Sequence, residues 1–397
     1  MTISDRQKQL LEQGLPAESS REQPLDVSPL FRSFKFGRTV LKNRIVMAPM
    51  TRGKSPGGIP TGDVARYYAR RALGGVGLII TEGTHMRHES AQGYPDVPFL
   101  AGEEALEGWR KVVHYVHAAG CPIIPQLWHV GSYLRPGFDR GRRIPRLAPS
   151  AVAHPGLAGL SSENVPKRMT DADIEKAIDS FVEASLNARQ IGFDGVEIHG
   201  AHGYLIDQFF WRLTNKRLDR FGGSWRDRSR FAAELVAAVR KAVGTDFPIV
   251  FRFSNWKLNV YDERGRLANR PKELEQILSP LVAAGVDIFH ASTRRLDTAE
   301  FAGSDLNLAG WTKKITGLPA ISVGSVGLTT DMIAERQGEA VANAALDRLI
   351  ERLRNEEFDL VAVGRALLGD PNWCDKVRHG AFSEIMPYNR ACLDRLL

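Results

Sequence analysis

The chain has 397 residues, of which 43% are hydrophobic and 25% are charged, and this ordinary globular composition argues against a disordered or membrane-resident bulk. No run approaches the ~20 apolar residues of a membrane-spanning helix. Residues 1 to about 23 carry no apolar signal core, so the sequence predicts a cytoplasmic protein without a membrane partner. The cysteines at 121, 374 and 392 lack metal-site spacing and are expected to be reduced thiols.

The formal charge of +7 and the pI near 9.3 raise the question of a nucleic-acid partner. Basic residues are interspersed with acids in most segments, and the densest basic stretch, residues 135–146, mixes arginine with proline and glycine. Because neither pattern is typical of a nucleic-acid-binding arm, no such partner is predicted. Surplus positive charge is better suited to attracting a phosphorylated cofactor to a cleft.

Short β-branched runs alternate with amphipathic helical stretches, and the alternation repeats eight times along the chain. Each run is nearly continuous apolar sequence, as expected for a parallel strand that is covered on both faces. The predicted strands are 45–50, 76–83, 122–128, 195–199, 248–254, 286–291, 320–324 and 360–364. The predicted helices between them are 61–73, 106–119, 171–191, 228–243 and 272–284, with Thr170 at a helix start and Gly120, Gly192, Gly244 and Gly285 at C-terminal caps.

Eight strand-plus-helix units predict an α/β fold of the (β/α)8 TIM-barrel type, a single domain over residues 29–385 with loop insertions. Residues 1–28 form a polar N-terminal extension and residues 386–397 a short tail. A doubly wound sheet is the structural rival, but no Gly-x-Gly-x-x-Gly opens a helix after a strand.

Three segments between the predicted elements are long or charged. Residues 131–169 are rich in Pro, Gly, Ser and Arg, which favours a loop or hairpin excursion at the end of the third strand. Residues 293–311 contain four large apolar side chains, which either wall a pocket or pack locally. Residues 338–358 show a charged helical pattern typical of a solvated helix face.

The most informative stretch is His199-Gly-Ala-His202-Gly-Tyr204, which follows the fourth predicted strand. Two imidazoles can donate to a developing oxyanion and a phenol can protonate a carbon. The same residues also suit a structural core role, or a zinc site with His290 as the third ligand. The motif alone leaves these alternatives open.

Strand-end residues converge on one face of a barrel, so they are read together. Gly324 and Gly364 follow the seventh and eighth predicted strands, where glycine allows backbone N–H groups to approach a phosphate. Arg365 is placed to hold that phosphate bidentately. The pair of glycines therefore predicts a phosphate-bearing cofactor at this face.

Five segments of the chain resemble the old yellow enzyme family and occur in the same order. They are residues 41–52 (LKNRIVMAPMTR), 79–83 (IITEG), 126–128 (QLW), 196–205 and 219–224 (DRFGGS). The resemblance covers residues 30 to 371. It implies an FMN-dependent ene-reductase on a (β/α)8 barrel, with non-covalent FMN and with NADH or NADPH as reductant. It also makes a homo-oligomer plausible.

The resemblance implies a role for each matching position. Thr51 matches the hydrogen bond near flavin O4 and N5, and Arg252 matches the cation beside N1 and the C2 carbonyl. The other implied contacts are Pro49 and Met50 along the isoalloxazine, Gly83 and Gln126 at the pyrimidine edge, Gly324, Ser325, Gly364 and Arg365 at the phosphate, and Trp128 in the pocket wall, where barrel packing is the alternative.

The implied reaction is ping-pong reduction of the C=C bond of an α,β-unsaturated carbonyl or nitro compound, with Tyr204 as proton donor and His199 and His202 holding the oxygen. The rival interpretations are a zinc-dependent barrel hydrolase that uses the two histidines, and a non-catalytic flavin-binding barrel. Thr51 stands where one branch of the family has cysteine, and the cluster cysteines of other relatives are absent. A one-domain ene-reductase is therefore the favoured prediction.

Overall fold

A computed structural model of the chain describes residues 25–138, 144–157 and 165–396. Among these residues, eight parallel strands close into a barrel in chain order, with the last strand paired to the first. They are β1 (Ile45–Met47), β2 (Leu78–His85), β3 (Ile123–Trp128), β4 (Val196–His199), β5 (Ile249–Ser254), β6 (Ile288–Ser292), β7 (Ala320–Val323) and β8 (Leu360–Val363). The predicted barrel is thereby confirmed. Most of the predicted N-terminal extension, and Arg140, Arg142 and Arg143 of the basic stretch, lie outside the described residues.

The main helices occupy the connections between these strands, except for the last helix, which follows β8. They are α1 (Gly62–Leu73), α2 (Glu103–Ala118), α3 (Asp171–Ile191), α4 (Arg230–Val243), α5 (Pro271–Ala284), α6 (Leu308–Thr316), α7 (Asp347–Arg354) and α8 (Trp373–Arg378). Shorter α-helical segments are Leu205–Phe210, Trp225–Arg228, Met332–Arg336 and Arg365–Gly369, and 3-10 turns are Ser28–Phe31, Pro56–Gly58, Glu263–Gly265, Phe382–Glu384 and Arg390–Leu393.

Local sequence explains where α3 begins and ends. Thr170 and Asp173 form a reciprocal capping box at its start, and Gly192 closes it in the left-handed conformation at φ 98°. Both ends of the predicted helix are therefore confirmed.

The helix predicted over residues 338–358 is wrong in its first half, because α7 begins only at Asp347. Gly338 has φ 99°, which lies outside the helical region. The following residues turn back onto the loop after β7, where Asn343 pairs with Leu328 and Ala344 N–H donates to the Gly327 carbonyl at 3.0 Å. Pairing to that loop outweighs the helical periodicity of the segment.

A hairpin of Phe34–Phe36 and Thr39–Leu41 lies at the N-terminal mouth of the barrel. Phe36 and Leu41 are buried in one apolar cluster with barrel residues that include Val46, Leu78 and Val250. Since this end is filled by side chains, the opposite, C-terminal ends of the strands are where a ligand site is built.

The two long connections have different roles. In the 293–311 segment, Phe301 and Leu308 are buried in the main core and Phe301 packs edge-on against Trp311, which identifies the local-packing alternative as correct. In the 131–169 segment, Leu147–Ala148 pairs in parallel with Lys167–Arg168 rather than as a hairpin. No helix among the described residues is both long and apolar enough to cross a membrane.

Candidate flavin and carbonyl site

The central feature of the site is the turn that follows β4. His202 has φ 64° and Gly203 φ 86°, so the chain reverses sharply and brings three side chains together. The ring centroids of His199 and His202 are 5.2 Å apart, and those of His199 and Tyr204 are 5.1 Å apart. The structure thus brings together all three residues that the sequence predicted as catalytic.

Hydrogen bonds constrain the proton positions on the two imidazoles. His199 Nδ1 accepts from the Ala201 N–H at 3.3 Å, so its remaining proton lies on Nε2. His202 Nε2 lies 2.9 Å from Ser292 Oγ, which also accepts from Arg252 Nη2 at 3.4 Å. In the tautomer in which the Ser292 hydroxyl donates to His202 Nε2, the His202 proton lies on Nδ1.

Both imidazoles are neutral near pH 7. Burial, followed by the positive charge of Arg252, holds the pKa of His199 and of His202 well below the ordinary value of 6.5. Each ring therefore offers one N–H donor and carries no charge of its own.

Aromatic rings line the space beside Tyr204. The Trp128 centroid lies 4.9 Å from the Tyr204 ring and 6.0 Å from the His199 ring, and Tyr133 lies 5.6 Å from Tyr204. The hydroxyl of Tyr94 is 2.8 Å from the hydroxyl of Tyr204. Sequence reasoning missed Tyr94 and Tyr133, because neither belongs to a recognisable local motif.

A buried ion pair supports the turn from below. Lys257 Nζ lies 3.0 Å from Asp207 Oδ1, and both side chains are fully buried. The other carboxylate oxygen of Asp207 accepts from the Gly203 N–H at 2.7 Å. The Gly203 carbonyl in turn accepts from His154 Nε2 at 2.9 Å, since His154 Nδ1 accepts from Gly156 N–H. Burial lowers the pKa of His154 to about 4, so this donor is also a neutral imidazole.

The interior of the barrel beneath the turn carries a polar network. Gln126 Nε2 donates to Glu197 Oε1 at 2.7 Å, and the other oxygen of Glu197 lies 2.6 Å from His290 Nδ1. Arg252, on β5, is buried, and within the described part of the chain its Nε has no hydrogen-bond acceptor. A buried cation with an open donor is complementary to a ligand that carries negative charge.

The loop after β1 presents Thr51 as an exposed side chain, with Pro49 and Met50 partly buried beside it. Glu82 Oε2 fixes the loop by accepting from the Arg52 N–H at 2.7 Å and the Gly53 N–H at 2.9 Å. Glu82 lies within the 79–83 motif, but the sequence analysis gave it no role of its own.

The C-terminal tail is tied to the same loop. The Arg52 guanidinium donates to the carbonyls of Cys392, Leu393 and Arg395 at 2.9 to 3.2 Å. The tail is therefore anchored to the residue that follows Thr51, which its sequence did not indicate.

Gly83 is constrained by packing. A Cβ built there would lie 2.3 Å from the Trp128 ring, so glycine is required for that ring to pack against β2 as it does.

The predicted phosphate end is formed by the turns after β7 and β8. Ser325 has φ 49°, and its hydroxyl accepts from Arg365 Nη2 at 3.3 Å. Arg365 is also paired with Glu335 at 2.7 Å and donates to the Thr330 carbonyl. Its guanidinium is thus already held by protein groups, and the Gly324 backbone packs closely against the loop after β6, where a Cβ would lie 2.6 Å from Thr293 Oγ1.

The donor set at the C-terminal face suits FMN. Arg252 complements the negative charge that accumulates on a reduced flavin, the Gln126 amide oxygen is left to accept from a ring N–H, and the Thr51 hydroxyl is exposed at the rim. The glycine turns after β7 and β8 place backbone N–H groups where barrels bind phosphate.

The zinc alternative is not favoured. His290, its proposed third ligand, is fully buried and bonded to Glu197. Across residues 25–138, 144–157 and 165–396, no group of three or more His, Cys, Asp or Glu side chains is arranged to hold a metal ion.

Comparison with known proteins places this barrel in a family. The model of the NADH:flavin oxidoreductase / NADH oxidase family matches residues 29–384. NADH oxidase from Thermoanaerobacter brockii is 35% identical over 365 residues, which cover 90% of this chain and 52% of that protein. 12-oxophytodienoate reductase 2 from Arabidopsis thaliana is 40% identical over 222 residues, which cover 55% of this chain and 59% of the relative. This chain therefore spans between about half and three-fifths of the length of these relatives.

Among solved structures, old yellow enzyme from Pichia sp. AKU4542 matches with a TM-score of 0.76 and 27% identity, over 92% of this chain and 90% of that one. The family match extends over most of the chain and agrees with the fold. The chain belongs to the NADH:flavin oxidoreductase / NADH oxidase family and is a homologue of old yellow enzyme.

Proposed function

We propose that this protein is an FMN-dependent ene-reductase that uses NADH or NADPH to reduce the C=C bond of α,β-unsaturated carbonyl or nitro compounds. The observation that carries the proposal is the grouping of two neutral imidazole donors with a protonated phenol, His199, His202 and Tyr204, beside the buried Arg252. When bound at the C-terminal face by residues that include Arg252 and Gln126, FMN would supply the hydride chemistry that connects the nicotinamide to the alkene.

The two histidines act on the substrate oxygen. His199 Nε2–H and, in the tautomer that accepts the Ser292 hydroxyl at Nε2, His202 Nδ1–H bind a carbonyl or nitro oxygen and stabilise the negative charge that develops there. Because both rings are uncharged, they polarise the alkene without giving up a proton to the oxygen.

Tyr204 supplies the proton to the α-carbon. Burial raises the pKa of its hydroxyl, so the phenol keeps its proton until a basic carbon forms. Trp128 and Tyr133 pack around it and exclude water, which favours transfer from Tyr204 over transfer from solvent.

The remaining predicted residues are proposed to bind the cofactor. Arg252, Gln126 and the Gly83 backbone would hold the pyrimidine end of the flavin ring. Thr51 would hold the side of the ring near N5 and O4. Pro49 and Met50 would contact the ring. Gly324, Ser325, Gly364 and Arg365 would form the phosphate site, with Glu335 positioning Arg365. Homo-oligomeric assembly, a cytoplasmic location and the 29–385 domain bounds stay predictions.

The proposal is tested by anaerobic spectroscopy of the purified protein. Bound FMN is expected to bleach on addition of NADH or NADPH and to recover its oxidised spectrum on addition of cyclohexenone. A protein that binds no FMN on reconstitution would contradict cofactor and activity together. If the nicotinamide reduces the flavin but cyclohexenone does not reoxidise it, the proposed alkene reductase activity would be contradicted. The protein would then still be a flavin oxidoreductase, but one that acts on another acceptor.

A further inference from the structure

The hydroxyl of Tyr94 is 2.8 Å from the hydroxyl of Tyr204, a hydrogen bond between residues 110 positions apart. Tyr204 is 6% exposed, whereas Tyr94 is only partly buried. Tyr94 therefore stands between the buried proton donor and solvent.

Tyr94 is held firmly in that place. Its ring lies 4.9 Å from the Trp128 ring and stacks on Tyr133 at 6.0 Å. The preceding carbonyl, that of Gly93, accepts from the Arg135 N–H at 3.0 Å, so the loop after β2 is tied to the loop after β3. Such fixation keeps the two hydroxyls in contact without a further loss of side-chain freedom.

The direction of the hydrogen bond follows from the chemistry of Tyr204. If Tyr204 directs its own proton at the substrate carbon, its oxygen can only accept, and Tyr94 must be the donor. Burial raises the pKa of Tyr204, and the hydrogen bond from Tyr94 lowers it, as expected for a donor that stabilises the phenolate.

We propose, on the basis of the proposed function, that Tyr94 is a positioning residue and proton relay for Tyr204. When Tyr204 gives its proton to the α-carbon, one C–H bond forms and a phenolate remains on Tyr204. The Tyr94 O–H stabilises that phenolate, then passes its proton to it, and water reprotonates Tyr94. Each turnover thus takes one proton from solvent and one hydride from the reduced cofactor, and no other reactant is needed.

The size of the effect follows from the kind of bond lost. A hydrogen bond to a charged group contributes about 1.5–3 kcal/mol, which corresponds to roughly a 10- to 150-fold rate change if it is made only as the phenolate forms. Tyr94→Phe removes the donor and keeps the ring that packs on Trp128 and Tyr133.

The first test is stopped-flow kinetics of the FMN-loaded enzyme. Tyr94→Phe is expected to slow reoxidation by cyclohexenone about 10-fold or more, and to leave reduction by NADH within about twofold of wild type. The exposed Tyr115→Phe on α2 is the matched control and changes neither step. In the Tyr94→Phe/Tyr204→Phe double variant, no slowing beyond that of Tyr204→Phe is expected, because Tyr94 acts through Tyr204.

The second test needs no turnover. A fluorinated tyrosine of lowered pKa at position 204 is titrated by fluorine NMR, and Tyr94→Phe is expected to raise its pKa by about one unit or more. An unchanged pKa with unchanged reoxidation would overturn the relay, as would fully additive effects in the double variant. If Tyr204→Phe itself leaves alkene reduction unaffected, the proposed function fails instead, so the two failures are distinguishable.

Discussion

Substitution of Glu82 by glutamine is expected to stabilise the protein above neutral pH and to leave its stability unchanged in acid. Glu82 is 1% exposed, and its Oε1 has no hydrogen-bond partner within the described residues. Burial, opposed by the N–H groups of Gly53 and Arg52 and by the Arg52 charge, raises its pKa from the ordinary value of 4.5 to about 7.

The sign follows from proton binding in the two states. Between pH 4.5 and about 7 the folded protein keeps the Glu82 proton more than the unfolded chain does, so the free energy of unfolding falls as pH rises through this window. Because the pKa rises from 4.5 to about 7, and each tenfold change in the proton-binding constant is worth about 1.4 kcal/mol, the loss amounts to roughly 3.5 kcal/mol well above pH 7. Glutamine resembles the protonated acid, and its amide oxygen can still accept from Arg52 and Gly53.

The assay is urea unfolding of the FMN-loaded protein, followed by tryptophan fluorescence from pH 4 to pH 8.5. The difference in unfolding free energy between Glu82→Gln and wild type is expected to rise from near zero at pH 4 to as much as about 3 kcal/mol at pH 8. Glu107→Gln, whose carboxylate is half exposed on α2, serves as the matched control and shows no such rise. A Glu82→Gln difference that stays constant across the pH range would refute the buried-acid reasoning.

Three further outcomes are expected. Lys257→Met leaves Asp207 buried without its cation and is expected to lower the free energy of unfolding in urea by about 3–5 kcal/mol. The double variant Lys257→Met/Asp207→Leu is expected to recover most of that loss. If the single and the double variant lose the same unfolding free energy, a buried charge is not the cause. Deletion of residues 391–397 removes the acceptors of Arg52 and costs roughly 1–3 kcal/mol, measured by thermal unfolding, and no change in the midpoint would show that the tail is dispensable. Because burial keeps His199 and His202 neutral, the rate of reoxidation by cyclohexenone is expected to be flat from pH 6 to pH 8, and an inflection that His199→Asn abolishes would contradict this.

The barrel could be predicted from sequence because its strands are short, continuous apolar runs, and such runs report burial on both faces directly. The segment before α7 could not, since its helical periodicity yields to pairing with the loop at Leu328, a contact that periodicity does not encode.

Part of the site could likewise be predicted from the sequence, and part could not. His199, His202 and Tyr204 lie within six residues of each other, so their type and spacing predict their grouping. Tyr94 reaches Tyr204 across 110 positions, and Arg52 reaches the Cys392 carbonyl across 340. Contacts between residues so far apart in sequence form because barrel closure brings distant loops to one face. No local sequence pattern predicts them.

The central claim is that Tyr204 protonates the alkene carbon, and anaerobic single-turnover reoxidation tests it most directly. NADH-reduced wild type and Tyr204→Phe are each mixed with cyclohexenone, and recovery of the oxidised flavin spectrum is timed. Tyr204→Phe is expected to reoxidise at least about 100-fold more slowly, in the range of general acid catalysis, while NADH still reduces it at the wild-type rate. Equal reoxidation rates, or equal slowing of both half-reactions, would contradict it.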